Sequence, residues 1–468
     1  MPPTPLAGGP PGPDALHPLL RTVLHALRDG ATERAGPLPR GGPAETAARV
    51  LAAATPVLPE HGTGPAEALH RLVHTLALGA CDPAHPLCAA HLHTPPLALA
   101  AAADLAVSAL NPSLDSWDQA PAASALERLV TAALAAEVFP AAPAPDALVT
   151  TGGTESNQLA LLLARERHGA VRVVCGSGAH HSVRRAAWLL GLPEPLTVPD
   201  ARGLDPAALD DTLARLPGPC LVVATAGSTD TGRIDPLPEI ADRCARHRAE
   251  LHIDAAYGGG LLLSPRHRPL LTGLDRAHSV TLDLHKLGWQ PVPAGLFAVP
   301  DGALLAPLAL TADYLNPGDD TEAGLPDLLG RSLRTTRRAD ILKVAVTLRA
   351  LGRSGLARLI DTVMDHARRF AALVDAHPRL ELFEPPALTT VLFRPTGADD
   401  AQIAGIRRHL LTTGSAVLGR ARADGRLWLK ATLLNPHATP GDLDRLIELV
   451  EGSTPDDRHA PRRTRPAP

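Results

Sequence analysis

Four short stretches of this chain carry residue types suited to chemistry. Ser279 to Val299, SVTLDLHKLGWQPVPAGLFAV, reads as a buried strand over Ser279–Leu284, then His285-Lys286, a Pro- and Gly-rich turn, and a second apolar segment over Gly295–Val299. An ammonium at the mouth of a buried strand is costly. A lysine that forms an imine with an aldehyde is no longer a free ammonium, which accounts for the placement; a solvated lysine at a strand end accounts for it as well. Thr151-Gly152-Gly153-Thr154-Glu155-Ser156-Asn157 lies between a strand pattern and a helix pattern. Glycines let backbone amides approach an anion, the helix N-terminus adds partial positive charge, and Thr154 can add a hydroxyl. Neither G-x-G-x-x-G nor G-K-[ST] is present, and a plain glycine turn capped by Thr154 is the alternative. His180-His181 follows Gly176-Ser177-Gly178. Paired histidines can bind metal, but no third ligand stands at suitable spacing; a ring that stacks on a flat ligand needs the same placement. In His252-Ile253-Asp254-Ala255-Ala256-Tyr257-Gly258-Gly259, Asp254 ends a strand expected to be buried on both faces. Its carboxylate needs a cationic or hydrogen-bonding partner, and a protonated pyridine nitrogen would be one. The small neighbours leave room for a planar ring.

The elements around these stretches explain why they belong together. From residue 146 onward short β-rich runs alternate with helical ones: Asp146–Thr150, Val171–Cys175, Leu196–Val198, Cys220–Ala224, Leu251–Asp254 and Val280–Leu284, with helices starting near Thr154, His181, Asp205 and Asp235. Such alternation predicts a largely parallel sheet covered on both faces. The link from Val280–Leu284 to Gly295–Val299 is too short for a crossover helix, so those two strands are expected to run antiparallel. All four stretches then lie just past strand C-terminal ends, where open α/β sheets bind ligands. An anion site, a stacking ring, a buried carboxylate and an imine-forming lysine are the parts that pyridoxal 5'-phosphate requires.

Composition narrows the field. The chain has 468 residues, 45% hydrophobic and 20% charged, with only 2% aromatic, so its cores must be built from Leu, Val and Ala. That length calls for two or three lobes. A formal charge of −4 gives no nucleic-acid footprint. The apolar run Leu97–Leu110 contains Asp104 and is too short to span a membrane. Five scattered cysteines without C-x-x-C argue against a disulfide framework or zinc ribbon. With no signal-peptide pattern at the N-terminus, the expectation is a cytoplasmic protein without structural metal. Helical periodicity is expected over residues 15–30, 44–54 and 65–80, and later over 338–352 and 355–376.

The motifs together resemble the group II pyridoxal-phosphate-dependent amino-acid decarboxylases. The similarity runs from His85 to Glu451 and rests on NPSLDSWDQAPAASALE, TTGGTESNQLALLLAR, AHHSV, ATAGSTDTGRIDPL, HIDAAYGG and DLHKLGWQP; ADYLNP, LRTTRRADILK, VLFRP and WLKATLLNP match more loosely. The resemblance implies an α/β protein of the pyridoxal-phosphate-dependent transferase fold type I: a mostly parallel central sheet flanked by helices, a helical N-terminal segment and a small α+β C-terminal domain. The expected division is 1–96 for the N-terminal helical and dimerisation segment, with 1–14 disordered, 97–340 for the large cofactor-binding domain, 341–455 for the small domain and 456–468 for a disordered tail. By the same resemblance Lys286 is the imine-forming lysine, Asp254 pairs with the pyridine nitrogen, His180 stacks on the ring and Ala256 packs on its other face. Gly153 and Thr154 contact the phosphate with His285 near it, Thr229 helps to hold the site, and Asp235 is the acid of the G-x-x-D segment. A homodimer with sites at the subunit interface is implied.

The reaction implied is decarboxylation of an L-amino acid to its amine. The segments SLDSWDQ, HKLGWQP and ADYLNP resemble the subgroups acting on small cationic amino acids: 2,4-diaminobutyrate, lysine or ornithine. A cationic side chain wants carboxylate partners, and Asp115 and Asp118 are candidates, with His91 and His93 nearby; turn capping is the other reading of the two aspartates. The chain also departs from its resemblance. The loop 316–331 has no tyrosine, unlike aromatic-amino-acid members, which leaves the proton donor unassigned. Ala339 and Cys88 are small where relatives are usually aromatic. An aromatic or acidic substrate, an aminotransferase and a catalytically inactive binding protein are the competing readings.

Overall fold

The computed structural model describes residues 4–199 and 203–454. Residues 1–3 and the expected tail 456–468 lie outside the described residues. In chain order, helices α1 (Gly12–Arg34), α2 (Gly42–Ala54) and α3 (Pro65–Leu78) precede a short strand β1 (Cys88–Ala89), then α4 (Ala98–Leu110) and α5 (Pro121–Val138). The alternating region follows: β2 (Asp146–Thr150), α6 (Gly153–His168), β3 (Arg172–Gly176), α7 (His181–Leu189), β4 (Leu196–Val198), α8 (Pro206–Ala214), β5 (Cys220–Thr225), α9 (Leu237–His247), β6 (Glu250–Ala255), β7 (Ser279–Asp283) and β8 (Gly295–Val299). The chain ends with α10 (Gly318–Glu322), α11 (Ile341–Asp375), β9 (Leu380–Leu382), β10 (Thr390–Pro395), α12 (Asp400–Thr413), β11 (Val417–Ala423), β12 (Arg426–Thr432) and α13 (Pro440–Gly452). Helix α1 begins inside the segment expected to be disordered; Pro13 at its start is tolerated there because the first helical amides have no intrahelical acceptor.

Described residues within Met1–Pro18, Leu92–Ala367 and Pro386–Thr390 form one compact unit, and those within Leu19–His91, Arg368–Pro385 and Val391–Pro468 form a second. The first unit is built on a seven-stranded sheet of order β2-β8-β7-β6-β5-β3-β4. Strands β3 to β7 are mutually parallel where they pair, while β8 runs antiparallel to both β7 and β2. This is the arrangement that the short β7–β8 link dictates, and the fold is the type I α/β fold. Strands β5, β7 and β8 are buried at every position, as expected for a sheet covered on both faces. Helix α6 packs Leu159, Leu161 and Leu163 into a core with Val173, Val223 and Phe297, which seats its N-terminus at the C-terminal end of β2.

The second unit carries a five-stranded sheet of order β1-β11-β12-β10-β9. Its strands β11 and β12 pair antiparallel, as do β10 and β9, while β1 joins β11 in parallel. Helix α11 kinks at Gly352, whose φ of +60° is the left-handed conformation glycine adopts without strain. That kink is where the helical pattern in the sequence divides.

Candidate active site

The C-terminal ends of β2, β3, β5, β6 and β7 converge on a cavity of about 360 Å³ within the first unit, a volume in the small-ligand range. Its wall begins with the turn after β2. Gly152 has φ +149°, and no side chain caps α6. A Cβ at Gly153 would lie 2.9 Å from Ala256 Cβ and 3.3 Å from Asp283 Oδ2, so glycine is required for the turn to pass between the ends of β6 and β7. Thr154 sits inside the first helical turn and is not the cap. The turn is instead tied by Glu155, whose Oε2 accepts from the Thr151 amide at 2.6 Å and from its hydroxyl at 2.7 Å.

His180 caps α7. Its Nδ1 accepts from Ser182 N at 3.3 Å and lies 2.8 Å from Ser182 Oγ. Burial pulls its pKa below that of ordinary imidazole, an effect that the nearby Asp254 charge opposes. His181 lies beside it, ring centroids 4.0 Å apart, but faces solvent. After β5, Thr225, Gly227 and the exposed Thr229 line the cavity. Asp235 does not line it: its Oδ2 accepts from Thr225 N at 2.7 Å and its Oδ1 from Leu204 N at 2.8 Å, which fixes the end of β5.

Asp254 ends β6 with 6% exposure. Its Oδ2 accepts from Asn157 Nδ2 at 2.7 Å and its Oδ1 from Ala256 N at 3.1 Å. Behind it His252 is wholly buried, and that burial pushes its pKa down to about 4. Tyr257 OH is buried against Thr389 Oγ1 and Thr390 Oγ1, at 2.7 and 3.0 Å, and burial raises its pKa. At the end of β7, Lys286 Nζ stands 2.9 Å from Asp283 Oδ2, and His285 Nε2 is 3.6 Å from the same oxygen. Burial lowers the His285 pKa, partly offset by the Asp283 charge.

The structure therefore brings Gly153, Thr154, His180, Thr229, Asp254, Ala256, His285 and Lys286 to one cavity. His91, His93, Asp115 and Asp118 do not line it, although Leu92 does. Asp115 and Asp118 are engaged in a local turn: Gln119 Nε2 donates to Asp115 Oδ1 at 3.0 Å, and Ser116 Oγ donates to Asp118 Oδ1 at 2.6 Å. Both bonds run between side chains and satisfy part of each carboxylate within its own segment. Sequence reasoning missed Asp283, Asn157 and His252. Asp283 alone had a local signal, its position three residues before Lys286.

The residues present fit the cofactor expected from the sequence. The glycine turn leaves a cradle that any Cβ would fill, and Lys286 and the buried Asp254 carboxylate both line the cavity. Asp283 Oδ1 is buried without a hydrogen-bond partner, so the wall has an acceptor to offer a polar ligand. Among the described residues no group of three or more His, Cys, Asp or Glu side chains is placed to hold a metal ion. Among the same residues no helix is long and apolar enough to cross a membrane.

Comparison with known proteins agrees with this geometry. Residues 58–396 match the pyridoxal-dependent decarboxylase conserved domain. The chain is 45% identical over 418 residues to L-2,4-diaminobutyrate decarboxylase of Rhizobium meliloti (strain 1021), covering 84% of this chain and 83% of that relative. It is 33% identical over 431 residues to L-2,4-diaminobutyrate decarboxylase of Acinetobacter baumannii, covering 84% of each. Among solved structures, the glutamate decarboxylase domain of the diaminobutyrate-pyruvate transaminase and L-2,4-diaminobutyrate decarboxylase from Vibrio parahaemolyticus superposes with a TM-score of 0.84 at 31% identity, over 96% of this chain and 97% of that one. Oryza sativa TDC, solved with PLP and tryptamine, shares the fold with a TM-score of 0.86 at 22% identity, over 95% of this chain and 99% of that one. With the lysine, the buried carboxylate and the glycine turn gathered at the C-terminal ends of the sheet strands, and a family match that spans most of the chain, this protein belongs to the pyridoxal-dependent decarboxylases.

Proposed function

We propose that the chain decarboxylates L-2,4-diaminobutyrate to its diamine. The observation that carries this reading is the 45% identity to the Rhizobium meliloti enzyme across 84% of the chain. Pyridoxal phosphate, when bound, supplies an electron sink for the bond that breaks. In this reading Lys286 is the residue that joins the cofactor covalently, and Asp254 holds the proton on its ring nitrogen. Each pK unit by which that pair holds the proton is worth about 1.4 kcal/mol. His180 and Ala256, which line the same cavity, would hold the two faces of the ring. Gly153 and Thr154 at the N-terminus of α6 would hold the phosphate with His285 beside them, and Thr229 lines the same wall. Asn157 and the Ala256 amide keep the Asp254 carboxylate oriented. His91, His93, Asp115 and Asp118 are not carried into this constellation, because none lines the cavity.

The resemblance that supports this chemistry also supports a homodimer, and the five cysteines, none of them in a disulfide, support a reducing, cytoplasmic setting. The test is a screen for carbon dioxide and amine release over 2,4-diaminobutyrate, ornithine, lysine, aspartate, glutamate, tyrosine and tryptophan. Turnover with 2,4-diaminobutyrate at the highest kcat/KM supports the proposal. Preference for ornithine, lysine or an acidic amino acid overturns the substrate, and keto acid without amine overturns the reaction type in favour of an aminotransferase.

A further inference from the structure

Asn157 lies on the buried face of α6 with no exposure at all, and its amide is fully used. Its Nδ2 donates to Asp254 Oδ2 at 2.7 Å and to Ser182 Oγ at 2.8 Å. Its Oδ1 lies 3.0 Å from His252 Nε2 and accepts from Thr281 Oγ1 at 3.1 Å. An asparagine amide has two hydrogens to give and two lone pairs to fill, so nothing is left over.

This saturation fixes the protons around it. A carboxylate can only accept, so the amide nitrogen must face Asp254. The amide oxygen then faces His252, which must carry its hydrogen on Nε2. His252 Nδ1 is left to accept from Ser279 Oγ, 2.8 Å away. Ser182 Oγ accepts from Asn157 and has one hydrogen to give, and its remaining neighbour is His180 Nδ1. The Ser182 amide also points at that nitrogen. With two donors aimed at Nδ1, His180 carries its hydrogen on Nε2.

We propose that Asn157 is a positioning residue for the cofactor site, setting the charge of Asp254 and the tautomer of His180 through one amide. The inference rests on the reading that Asp254 and His180 face the cofactor ring. It goes beyond that reading because Asn157 touches neither the cavity nor the reacting atoms. The titratable and charged groups facing this network are His180, His181, His252, Asp254, Asp283 and Lys286.

Asn157→Asp tests the proposal, since it keeps the shape and replaces two donors with an acceptor. Two buried carboxylates at that separation do not both ionise at neutral pH, so they share a proton there and Asp254 loses part of its charge. The readout is pyridoxal phosphate affinity of the cofactor-stripped full chain, followed by absorbance across pH. Relative to the unaltered chain, affinity should fall about tenfold at neutral pH, equivalent to one pK unit, and recover as pH rises and the second carboxylate ionises. Asn157→Ala should lose affinity without that recovery. Ser182→Ala leaves the Asp254 bond in place and removes one donor to His180 Nδ1. It should keep affinity within about threefold, under half of one pK unit, and move the acid limb of the bound-cofactor absorbance to higher pH. If Asn157→Asp fails to fold, the Ser182→Ala acid limb decides the matter. Wild-type affinity in Asn157→Asp at every pH, a loss that does not depend on pH, or an unmoved acid limb in Ser182→Ala overturns the positioning role and leaves the decarboxylase reading intact. Failure of the unaltered chain to capture pyridoxal phosphate overturns both.

Discussion

At the scale of single residues, the site is a set of buried charges, each with an assigned partner. Lys286 and Asp283 stand 2.9 Å apart, with only 2% of the Asp283 side chain exposed. Replacing Lys286 with alanine should abolish turnover and the absorbance of covalently held cofactor while leaving the thermal midpoint close to that of the cofactor-free chain; turnover like that of the unaltered chain would refute its assigned role. His252 makes a second prediction. Its folded-state pKa of about 4 lies below the ordinary imidazole value of 6.5 because burial penalises the charged ring. The unfolded chain therefore binds the proton more readily, so the contribution is complete above the ordinary value and is lost as pH falls. Denaturant titrations should show stability dropping by about 2 kcal/mol between about pH 6.5 and about pH 5 through this group. His252→Gln, which keeps a donor toward Asn157, should flatten the slope in that window. An unchanged slope in the variant would assign the acid sensitivity to other groups.

At the scale of elements, the strand C-terminal ends do the positioning, and the turn into α6 is packed closely against two of them. A methyl group at Gly153 would meet Ala256 Cβ at 2.9 Å and Asp283 Oδ2 at 3.3 Å. Gly153→Ala should therefore force β6 and β7 apart at their ends, costing about 1–3 kcal/mol of stability as overpacked sites do and weakening cofactor affinity. Thermal melts with and without pyridoxal phosphate measure both effects; a variant as stable and as tightly loaded as the unaltered chain would show that the turn has slack. The same turn shows what a sequence reveals. Gly152-Gly153, His180, Asp254 and Lys286 were legible because each sits beside a strand pattern whose period can be read locally. The antiparallel β8 was legible because its link to β7 is short. Asn157 and His252 were not. Asn157 meets its partners across 97, 95 and 124 residues of sequence, and a polar residue on a helix face gives no local sign of what the sheet places opposite it. For Asp115 and Asp118 the sequence offers two readings, and the side-chain bonds to Gln119 and Ser116 show only that each carboxylate has a local partner.

At the scale of the whole molecule, the proposed homodimer must cover surface that one copy leaves open. Helix α2 buries none of its side chains. Val50 and Leu51 on it, and Val57 and Leu58 just after it, are 41%, 67%, 79% and 94% exposed. Beside them, within the same compact unit, a cavity of about 900 Å³ is walled by Leu38, Ala47, Ala54 and Leu411. Exposed apolar surface in one place marks an interaction site more often than a solvated face, and a second copy of this chain is the partner that the homodimer supplies. Sedimentation of the purified protein should give twice the 48.8 kDa chain mass. The pair of substitutions Leu51→Lys and Leu58→Lys should shift it toward monomer, because each buries an ammonium against an apolar partner. A monomer for the unaltered chain at micromolar concentration refutes the dimer. A dimer that survives both lysines keeps the assembly and removes this face from it, leaving the catalytic reading of the cavity untouched.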